Sequence, residues 1–475
     1  MRKIDLNGKN KYYTLYKSIR GEILSGRIKA GERLPSKRAL AQETGVSVVT
    51  VQLAYEQLLA EGYITSRQRS GYFAESIDSP AQTQFPTPKH RYPQHIPVPM
   101  HENASQQRYI LDLVKGYAPA ELFPFSTWAK LMRTVLADCG EHLLERVPCC
   151  GDKQLQNAVA AYLYRARGIS VEPQRIIIGA GAEHLYGVLV QLLGRGRLFA
   201  AEAPCYGKIP AVYNLYGAEV AHVAVTEAGI DLDCVEKLSA SAVHVSPSHQ
   251  FPTGAVMPAS ARSRLIAWAN KSNGYIIEDD YDSEFRLEGK PLQSLAALCP
   301  DRVIYINTFS KSLAPSMRLG YMVLPPALYG EYLRLYGQSA NIVPLFEQKT
   351  LALMLDGGYF ERLVSRLKNH YRGIRKRILQ MLCDLCPECE ICDNGGGAHF
   401  AVKFPRAQSD LQIKQYAEKL GIKIKCLCDY LPQAPLPMAG EGEVERLHGY
   451  QKTAVINYSG VTHAQLDAIA VKLQK

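Results

Sequence analysis

The 475-residue sequence predicts two unlike domains, a small basic module at the N-terminus and a large α/β domain with a mostly parallel sheet. The first 75 residues hold thirteen Lys or Arg against seven Asp or Glu, which is +6 of the chain's net charge of +10. From residue 109 onward, strand-like segments alternate with helix-like ones, a pattern typical of helices packed on a parallel sheet. The uneven charge indicates a polyanionic partner at the N-terminal end.

The bulk composition predicts a cytoplasmic protein without a membrane partner. The hydrophobic fraction of 47% and the charged fraction of 21% are ordinary for globular domains. No apolar run approaches the ~20 residues that a membrane-spanning helix needs. The opening residues, "MRKIDLNGKNKYY", lack the apolar core of a signal peptide.

The first 75 residues have the pattern helix, helix, turn, helix and hairpin. Leu15, Ile19, Ile23 and Leu24 fall on one stripe of the first helix. Ser36, which follows a proline, begins the second helix, and Ser47 is an N-cap candidate for the third. Two strand-like pieces, "YITSR" and "GYFAE", follow. This order predicts a winged helix–turn–helix whose third helix enters the major groove of DNA.

The hairpin tip carries Arg67 and Arg69, which we expect to contact the DNA backbone or the minor groove. The alternative is a basic helical module that binds another protein. Residues 76–108 then hold six prolines and many Gln and Ser without a helical period, which indicates an extended linker. The sequence therefore predicts a winged helix over 1–75, a linker over 76–108 and the α/β domain over 109–475.

Small and polar residues collect where the predicted strands of the α/β domain end, and there we expect a ligand crevice. "GAGAEH", residues 179–184, lies between a strand and a helix, where backbone N–H groups form an anion cradle. "EDDYDSEF" places the acids Asp279, Asp280 and Asp282, together with Tyr281, at the end of another strand. These acids allow a metal site. A carboxylate can also hold the protonated ring nitrogen of a pyridine cofactor, and Tyr281 can donate to the phenolic oxygen of its ring.

The stretch "TFSKSLAPSMR" supplies a lysine and an arginine after a third strand. Lys311 is placed to form a Schiff base, with the hydroxyls of Thr308 and Ser310 nearby. Arg318 can reach back as a bidentate partner of a phosphate. A lysine after a strand is ordinarily a solvated surface charge. The anion cradle, the strand-end acid, the lysine and the arginine together favour pyridoxal 5′-phosphate (PLP) as cofactor.

Four of the twelve cysteines form a repeated C-x-x-C pattern, at Cys383, Cys386, Cys389 and Cys392. This spacing is a hint of a metal or iron–sulfur site. However, the preceding residues read as a helix that ends at Pro387, and "CEICDN" reads as the strand after it. A switch from helix to strand sends the four sulfurs in different directions, so we favour burial or chance and expect no metal.

The N-terminal segment resembles a known DNA-binding family. "LPSKRALAQETGVS…TV…AYEQLLAEGYI…SGYF" is similar to the GntR-type winged helix over nearly the whole segment. In that family, polar residues at four matching positions contact a double-stranded operator together with the wing. These positions are Ser36, Arg38, Ser47 and Thr50. The family usually carries an arginine where this chain has Val48, which removes a phosphate or base contact.

From about residue 111 to its end, the chain resembles fold-type I aminotransferases. "SHQFPTG", "EDDYDSEF" and "FSKSLAPSMRLGYMVLPP" are particularly similar to the MocR regulators, in which such a domain follows a GntR-type winged helix. The resemblance implies an α/β PLP-binding domain with a smaller C-terminal α+β subdomain. It also implies individual cofactor contacts. These are Lys311 for the Schiff base, Asp279 at the ring nitrogen, Tyr281 at the phenolic oxygen, Tyr206 against the ring face, and Gly181, Ala182, Thr308 and Arg318 at the phosphate.

Two departures from the aminotransferases bear on function. The chain has Phe251-Pro252-Thr253-Gly254 where those enzymes usually have N-P-x-G, so an asparagine contact to the cofactor is lost. They also carry an arginine near the C-terminus that pairs with the substrate α-carboxylate, whereas "AVINYSGVTHAQL" contains none. Such a pair contributes about 2 kcal/mol or more. Unless Lys208 replaces it, an ordinary amino-acid substrate would be held poorly.

These features favour a PLP-dependent transcription regulator in which the cofactor site is a sensor. Among MocR-like proteins, the regulators of vitamin B6 synthesis (PdxR type) use PLP as effector, and the missing arginine fits that group. One alternative is a regulator that senses an amino compound such as GABA, D-alanyl-D-alanine or taurine. Another is an aminotransferase with an appended DNA-binding module. The family implies a homodimer whose large domains pair head to tail.

Overall fold

The computed structural model describes residues 11–67, 70–76, 109–289, 292–432 and 449–473. The chain divides into two compact units, residues 1–106 and residues 107–475. Apart from Ser76, the linker predicted over 76–108 lies outside the described residues. Within the described ranges, no helix combines the length and the apolar composition needed to cross a membrane.

The first unit is a winged helix–turn–helix, as predicted. Its elements are α1 (Lys11–Leu24), α2 (Lys37–Thr44), α3 (Val48–Ala60), β1 (Ile64–Arg67) and β2 (Gly71–Ala74). Both expected N-caps form. The Ser36 hydroxyl accepts a hydrogen bond from the main-chain N–H of Ala39, at 3.2 Å. The Ser47 hydroxyl accepts one from the main-chain N–H of Thr50, also at 3.2 Å. Gly45 ends α2 at φ 69°, in the left-handed region that favours glycine.

The core of this unit forms between α1 and α3. Leu15, Ile19 and Ile23 of the predicted stripe are buried, and they pack with Ala54 and Leu58 of α3 in one hydrophobic cluster. The prediction was wrong for Leu24, the last residue of α1, which is exposed. The hairpin of β1 and β2 is antiparallel, with Ile64 opposite Ala74. The packing leaves the opposite side of α3 in solvent, where a helix of this fold meets DNA.

The second unit alternates strands and helices along most of its length. Its helices are α4 (Phe125–Cys139), α5 (Lys153–Arg167), α6 (Ala182–Leu193), α7 (Lys208–Leu215), α8 (Leu232–Lys237), α9 (Ala259–Ser272), α10 (Leu295–Leu298), α11 (Pro326–Tyr336), α12 (Leu345–Asp356), α13 (Tyr359–Leu385), α14 (Asp410–Lys419) and α15 (His463–Leu473). Its strands are β3 (Leu111–Asp112), β4 (Ile176–Gly179), β5 (Leu198–Ala203), β6 (Glu219–Thr226), β7 (Gly229–Ile230), β8 (Ala242–Val245), β9 (Tyr275–Asp279), β10 (Val303–Thr308), β11 (Gly320–Val323), β12 (Glu390–Cys392), β13 (His399–Lys403), β14 (Ile422–Lys423), β15 (Lys425–Cys426) and β16 (Thr453–Asn457).

The large sheet has the strand order β4-β11-β10-β9-β8-β5-β6-β7. The central strands from β10 to β6 are parallel, while β11 runs antiparallel to both of its neighbours. Both faces of the sheet are buried. In β9, for example, Ile276 belongs to one hydrophobic cluster and Ile277 to the other. Helices therefore cover both faces, as predicted, and the carboxyl ends of the parallel strands share one edge.

A second, antiparallel sheet of order β12-β13-β16-β15 forms the smaller C-terminal α+β subdomain. The helix-to-strand switch predicted around the cysteine run is confirmed, because α13 ends at Leu385 and β12 begins at Glu390. Burial does not account for the whole run, since Cys383 and Cys392 are exposed. All four cysteines are free thiols.

Candidate cofactor-binding site

A cavity of about 420 Å³ lies at the edge of the large sheet where the parallel strands end. Eight of the nine residues predicted to bind the cofactor line it, and they come from the ends of different strands. The eight are Ala182, Tyr206, Asp279, Tyr281, Thr308, Ser310, Lys311 and Arg318. The ninth, Gly181, is adjacent to Arg318. The structure thus brings the whole predicted set together.

One part of the cavity is a cationic cradle at the start of α6. Gly181 precedes this helix with φ 83°, and no side chain caps the helix start, so the first backbone N–H groups of α6 have no side-chain acceptor there. The Arg318 guanidinium lies over the turn, because a Cβ built on Gly181 would be 3.2 Å from its Cζ. Any side chain at position 181 would fill the cradle. N–H groups at a helix start beside a guanidinium suit a phosphate group.

Asp279, the last residue of β9, is an oriented buried anion. The Tyr186 hydroxyl donates a hydrogen bond to its Oδ2, and His244 Nε2 lies 3.4 Å from the same oxygen. The Tyr213 hydroxyl in turn lies 2.7 Å from His244 Nδ1. These supporting side chains are buried, so the carboxylate has a fixed direction into the cavity. Such an anion suits a protonated ring nitrogen.

Lys311 presents its amine in a desolvated environment. Burial lowers the pKa of Lys311, and the carboxylates of Asp282 and Asp279 oppose that change. A lower pKa increases the fraction of neutral amine near neutral pH, and the neutral amine is the nucleophile. The lysine Nζ lies 5.7 Å from the centroid of the Tyr281 ring. The amine is therefore suited to condense with an aldehyde.

Aromatic side chains form another wall. Phe251, which occupies the place of the usual asparagine, meets the rings of Tyr206 and Tyr281 edge-on, at centroid distances of 6.5 and 6.4 Å. The Tyr281 hydroxyl donates to the main-chain oxygen of His249 at 3.0 Å. The contact predicted between Tyr281 and a phenolic oxygen therefore requires that this hydrogen bond be exchanged.

Glu202 is a buried acid in the cavity wall that the sequence analysis did not single out. It accepts the main-chain N–H of Ser246 at 3.3 Å and an N–H of Gln250 at 3.4 Å. Burial raises the pKa of Glu202 from 4.5 to about 8. Between these two values the folded chain binds more protons than the unfolded chain. Stability therefore falls as the pH rises from about 4.5 to about 8.

Replacing Glu202 by the neutral glutamine is expected to remove this loss of stability at higher pH. The gain in unfolding free energy of E202Q over the wild type should grow from pH 5 to pH 8 and reach a few kcal/mol, at about 1.4 kcal/mol per pKa unit. Denaturant unfolding at several pH values measures it. Glu183, a half-exposed acid of the same cavity that pairs with Lys208, is the matched control. A gain that is constant across this pH range would contradict the prediction.

A buried polar cluster that the sequence did not predict lies beside the cavity. His249 Nδ1 lies 2.9 Å from an Asp282 oxygen, and the rings of His249 and His399 are 4.2 Å apart. In the described parts of the chain, this is the one group of three His, Cys, Asp or Glu side chains whose ligand atoms approach within 4.8 Å. A Cβ on Gly397 would lie 2.1 Å from both His249 and Asp282. The cluster joins loops of the large sheet to the small subdomain.

The remaining wall comes from the small subdomain and from residues 114–117. Among the described residues that line the cavity, Arg318 is the one arginine. Near the C-terminus, where an arginine is expected in aminotransferases, Asn457 reaches the cavity as the last residue of β16. Asp279 was predicted because it is a polar residue at the end of a buried strand. Asn457 has the same position on its strand, so the same signal could have identified it.

The residues predicted to contact DNA lie on the surface of the first unit. Ser36, Arg38, Ser47 and Arg67 are exposed, and Thr50 is half-buried. Arg69 lies outside the described residues. The cap bonds use the hydroxyl oxygens of both serines as acceptors. The Ser47 hydroxyl also lies 2.8 Å from the Thr50 hydroxyl, so these two predicted DNA contacts are hydrogen-bonded to each other.

Two family models match the chain. The model of bacterial regulatory proteins of the gntR family matches residues 11–73, and the model of class I and II aminotransferases matches residues 119–403. The probable rhizopine catabolism regulatory protein MocR of Rhizobium meliloti is 31% identical, over 94% of this chain and 90% of its own length. The pyridoxine biosynthesis regulator PdxR of Corynebacterium glutamicum is 31% identical over 88% of each. The chain belongs to the MocR subfamily of GntR-type transcription regulators.

A further regulator is similar to this chain over most of its length, and an enzyme has the fold of the second unit. This MocR-type regulator is 34% identical to the uncharacterized HTH-type regulator YdeL of Bacillus subtilis, over 87% of this chain and 88% of that protein. A multiple substrate aminotransferase of Thermococcus profundus has a TM-score of 0.66 at 22% identity, covering 77% of this chain and 90% of its own. The second unit therefore has the class I and II aminotransferase fold, whose members bind PLP.

Proposed function

We propose that this chain is a PLP-dependent transcription regulator, in which the winged helix binds a double-stranded operator and the cavity holds PLP as a sensed ligand. One observation carries the proposal. A cavity with a phosphate-sized cationic cradle, an oriented Asp279 and a desolvated Lys311 occurs in the same chain as a winged helix with an exposed third helix. The first feature supports cofactor binding, and the second supports DNA binding.

Each end of the cofactor has residues that suit it. The N–H groups at the start of α6 and the Arg318 guanidinium would hold the phosphate. Asp279, held by Tyr186, would keep a proton on the ring nitrogen. PLP, when bound, supplies an aldehyde carbon and an electron-withdrawing ring. The neutral amine of Lys311 is the nucleophile for that aldehyde, and Tyr206 would cover one face of the ring.

The cavity favours sensing over turnover of ordinary amino acids. Among its described lining residues, a second arginine that would pair with an α-carboxylate is absent. Lys208 does not fill this role, because its Nζ is 2.6 Å from a Glu183 oxygen and the pair is partly exposed. A carboxylate in the cavity would be desolvated without a dedicated partner, which costs binding energy. Efficient transamination therefore lacks its usual substrate anchor.

We infer that PLP itself is the effector and that the regulated genes serve vitamin B6 synthesis. The 31% identity to a regulator named for pyridoxine biosynthesis supports this, as does the missing carboxylate anchor. We also propose that two chains pair head to tail, as fold-type I proteins do. PLP binding would then change the spacing of two tethered winged helices on a bipartite operator.

The DNA-binding half of the proposal is tested with the full chain and DNA from upstream of its own gene. Arg38→Ala and Arg67→Ala should each weaken binding about tenfold at low salt. Each should also lower the slope of log K against log salt by about one, because each removes one phosphate contact. Lys237→Ala, at an exposed lysine of the second unit, is the control and should change neither quantity. Salt-independent binding, or equal effects of all three variants, would refute operator recognition by this surface.

A further inference from the structure

Three apolar side chains, Val48, Val49 and Leu53, lie on the exposed face of α3. Their side chains are 43%, 64% and 46% exposed, and none of the three belongs to the hydrophobic cluster that the described residues of the first unit form. Val49 and Leu53 are four residues apart, so they are neighbours on the helix surface. Core packing therefore does not account for the apolar character of this face.

The same helix lacks the side chains that most often recognise guanine. None of the thirteen residues of α3, all of which are described, is Lys or Arg. Those two residue types pair with the O6 and N7 atoms of guanine in the major groove. The basic residues predicted to contact DNA lie elsewhere, with Arg38 in α2 and Arg67 in β1. In the major groove, α3 would therefore present mainly apolar and neutral polar groups to the bases.

An apolar side chain in the major groove favours thymine. The C5-methyl group of thymine is the apolar group on the base edges there, whereas guanine presents two acceptors and cytosine a donor. Valine placed against guanine or cytosine would remove water from those polar atoms without replacing their hydrogen bonds, which costs binding energy. Against thymine it would bury a methyl group instead. Val49, the most exposed of the three residues, is the best placed for this contact.

Gln52 lies almost one helical turn after Val49 on the same face, and its amide is oriented. Its Nε2 donates to an oxygen of Glu56 at 2.8 Å. An ionised carboxylate can only accept, so the NH₂ group of Gln52 faces Glu56. This bond uses one of the two N–H groups. The second N–H and the carbonyl oxygen match the N7 acceptor and the N6 donor of adenine.

We propose that α3 recognises A·T base pairs of the operator, with Val49 against the methyl group of a thymine and Gln52 paired with an adenine. Val48 and Leu53 extend the apolar surface on either side of these two residues. This inference rests on the proposed function and adds to it the bases that the helix reads. Where α3 enters the major groove, the operator has A·T pairs and needs no guanine.

The thymine contact is tested on a duplex that the full chain enriches from a random-sequence library. Each thymine of the enriched site is replaced singly by deoxyuridine, which removes the C5-methyl group alone. The wild-type chain should lose affinity about fourfold at one or more thymines, the effect of one buried methyl group. At one of these thymines, Val49→Ala should bind both duplexes equally. Leu24→Ala, at an exposed leucine of α1, is the matched control and should keep the wild-type loss.

Val49 is exposed and alanine is a better helix former, so the Val49→Ala variant should fold like the wild type. An affinity that deoxyuridine changes at none of the thymines would overturn the thymine contact. The same deoxyuridine losses in V49A and in the wild type would overturn it as well.

The adenine contact is tested by exchanging each A·T pair of the same site for G·C. At one position the wild-type chain should lose affinity at least about fivefold, and Gln52→Ala should not. Gln52→Arg should prefer the G·C duplex, because a guanidinium pairs with guanine. Gln57→Ala is the matched control, since Gln57 donates in the same way to Glu61 from another side of α3. Undiminished discrimination in Q52A, or its loss in Q57A, would contradict the role of Gln52.

The selection itself separates the two levels of the proposal. If the full chain enriches no duplex over random DNA, the proposed DNA binding fails. If it enriches a site at which neither series of base changes has the expected effect, DNA binding stands and the inference about α3 alone fails.

Discussion

Lys311→Ala is expected to yield a colourless protein whose affinity for PLP is at least ~100-fold lower than that of the wild type. The wild-type chain, loaded with PLP and passed over a desalting column, should retain visible absorbance. Borohydride should then fix the cofactor to the peptide that contains Lys311. The reason is that the desolvated amine of this residue is the nucleophile of the cavity, and its removal leaves the phosphate and ring contacts without a covalent link.

Lys425→Ala is the matched control for this experiment. Lys425 lines the same cavity, but it is exposed and its amine faces the Tyr430 ring. This variant should keep the absorbance of the wild type. Colour that persists in K311A, or that disappears in K425A instead, would show that another amine holds the cofactor.

Arg318→Ala is expected to lower the affinity for PLP about tenfold to a hundredfold, because a charge-assisted bidentate pair contributes about 1.5–3 kcal/mol. The affinity for pyridoxal, which has no phosphate, should not change. Titrations of both compounds measure the difference. The structure places this guanidinium over the Gly181 turn, from the end of another strand.

Arg318→Lys serves as the control for charge, since it keeps a cation and loses the fork geometry. It should recover part of the preference for PLP over pyridoxal. Equal losses for PLP and pyridoxal in R318A would mean that the substitution disturbs the fold of the cavity and that Arg318 is not the phosphate partner.

That these candidate cofactor residues lie together could be predicted from sequence, because each follows a recognisable local signal. Asp279 ends a buried strand, Lys311 follows another, and Gly181 lies between a strand and a helix. In a parallel sheet the carboxyl ends meet at one edge, so three separate local patterns predict one shared site. The winged helix was predictable for a similar reason, since its caps at Ser36 and Ser47 are local.

The supporting contacts were beyond reach of the sequence. Tyr186 donates to Asp279 across 93 residues, and no local pattern links a tyrosine inside α6 to the end of β9. Glu202 is a strand residue whose pKa depends on burial, which only the assembled sheet defines. The Tyr281 hydroxyl has a protein acceptor that the sequence did not indicate.

The absence of an arginine near the C-terminus was visible in the sequence, but its replacement was not. Asn457 has the signal of a strand-end polar residue, yet the direction of its amide is set by Ser459. The amide also lies beside Gly116, more than 300 residues earlier in the chain. Such a juxtaposition requires the folded structure.

In the proposed function, PLP binding at Lys311 changes DNA binding. The direct test is to titrate a labelled operator fragment with the full chain, with and without PLP, and to measure the affinity by fluorescence anisotropy. We predict that PLP changes the affinity of the wild-type chain at least about tenfold, a coupling of about 1.4 kcal/mol, and leaves that of K311A unchanged. If the wild-type chain binds a specific fragment with equal affinity with and without PLP, then PLP binding does not control DNA binding.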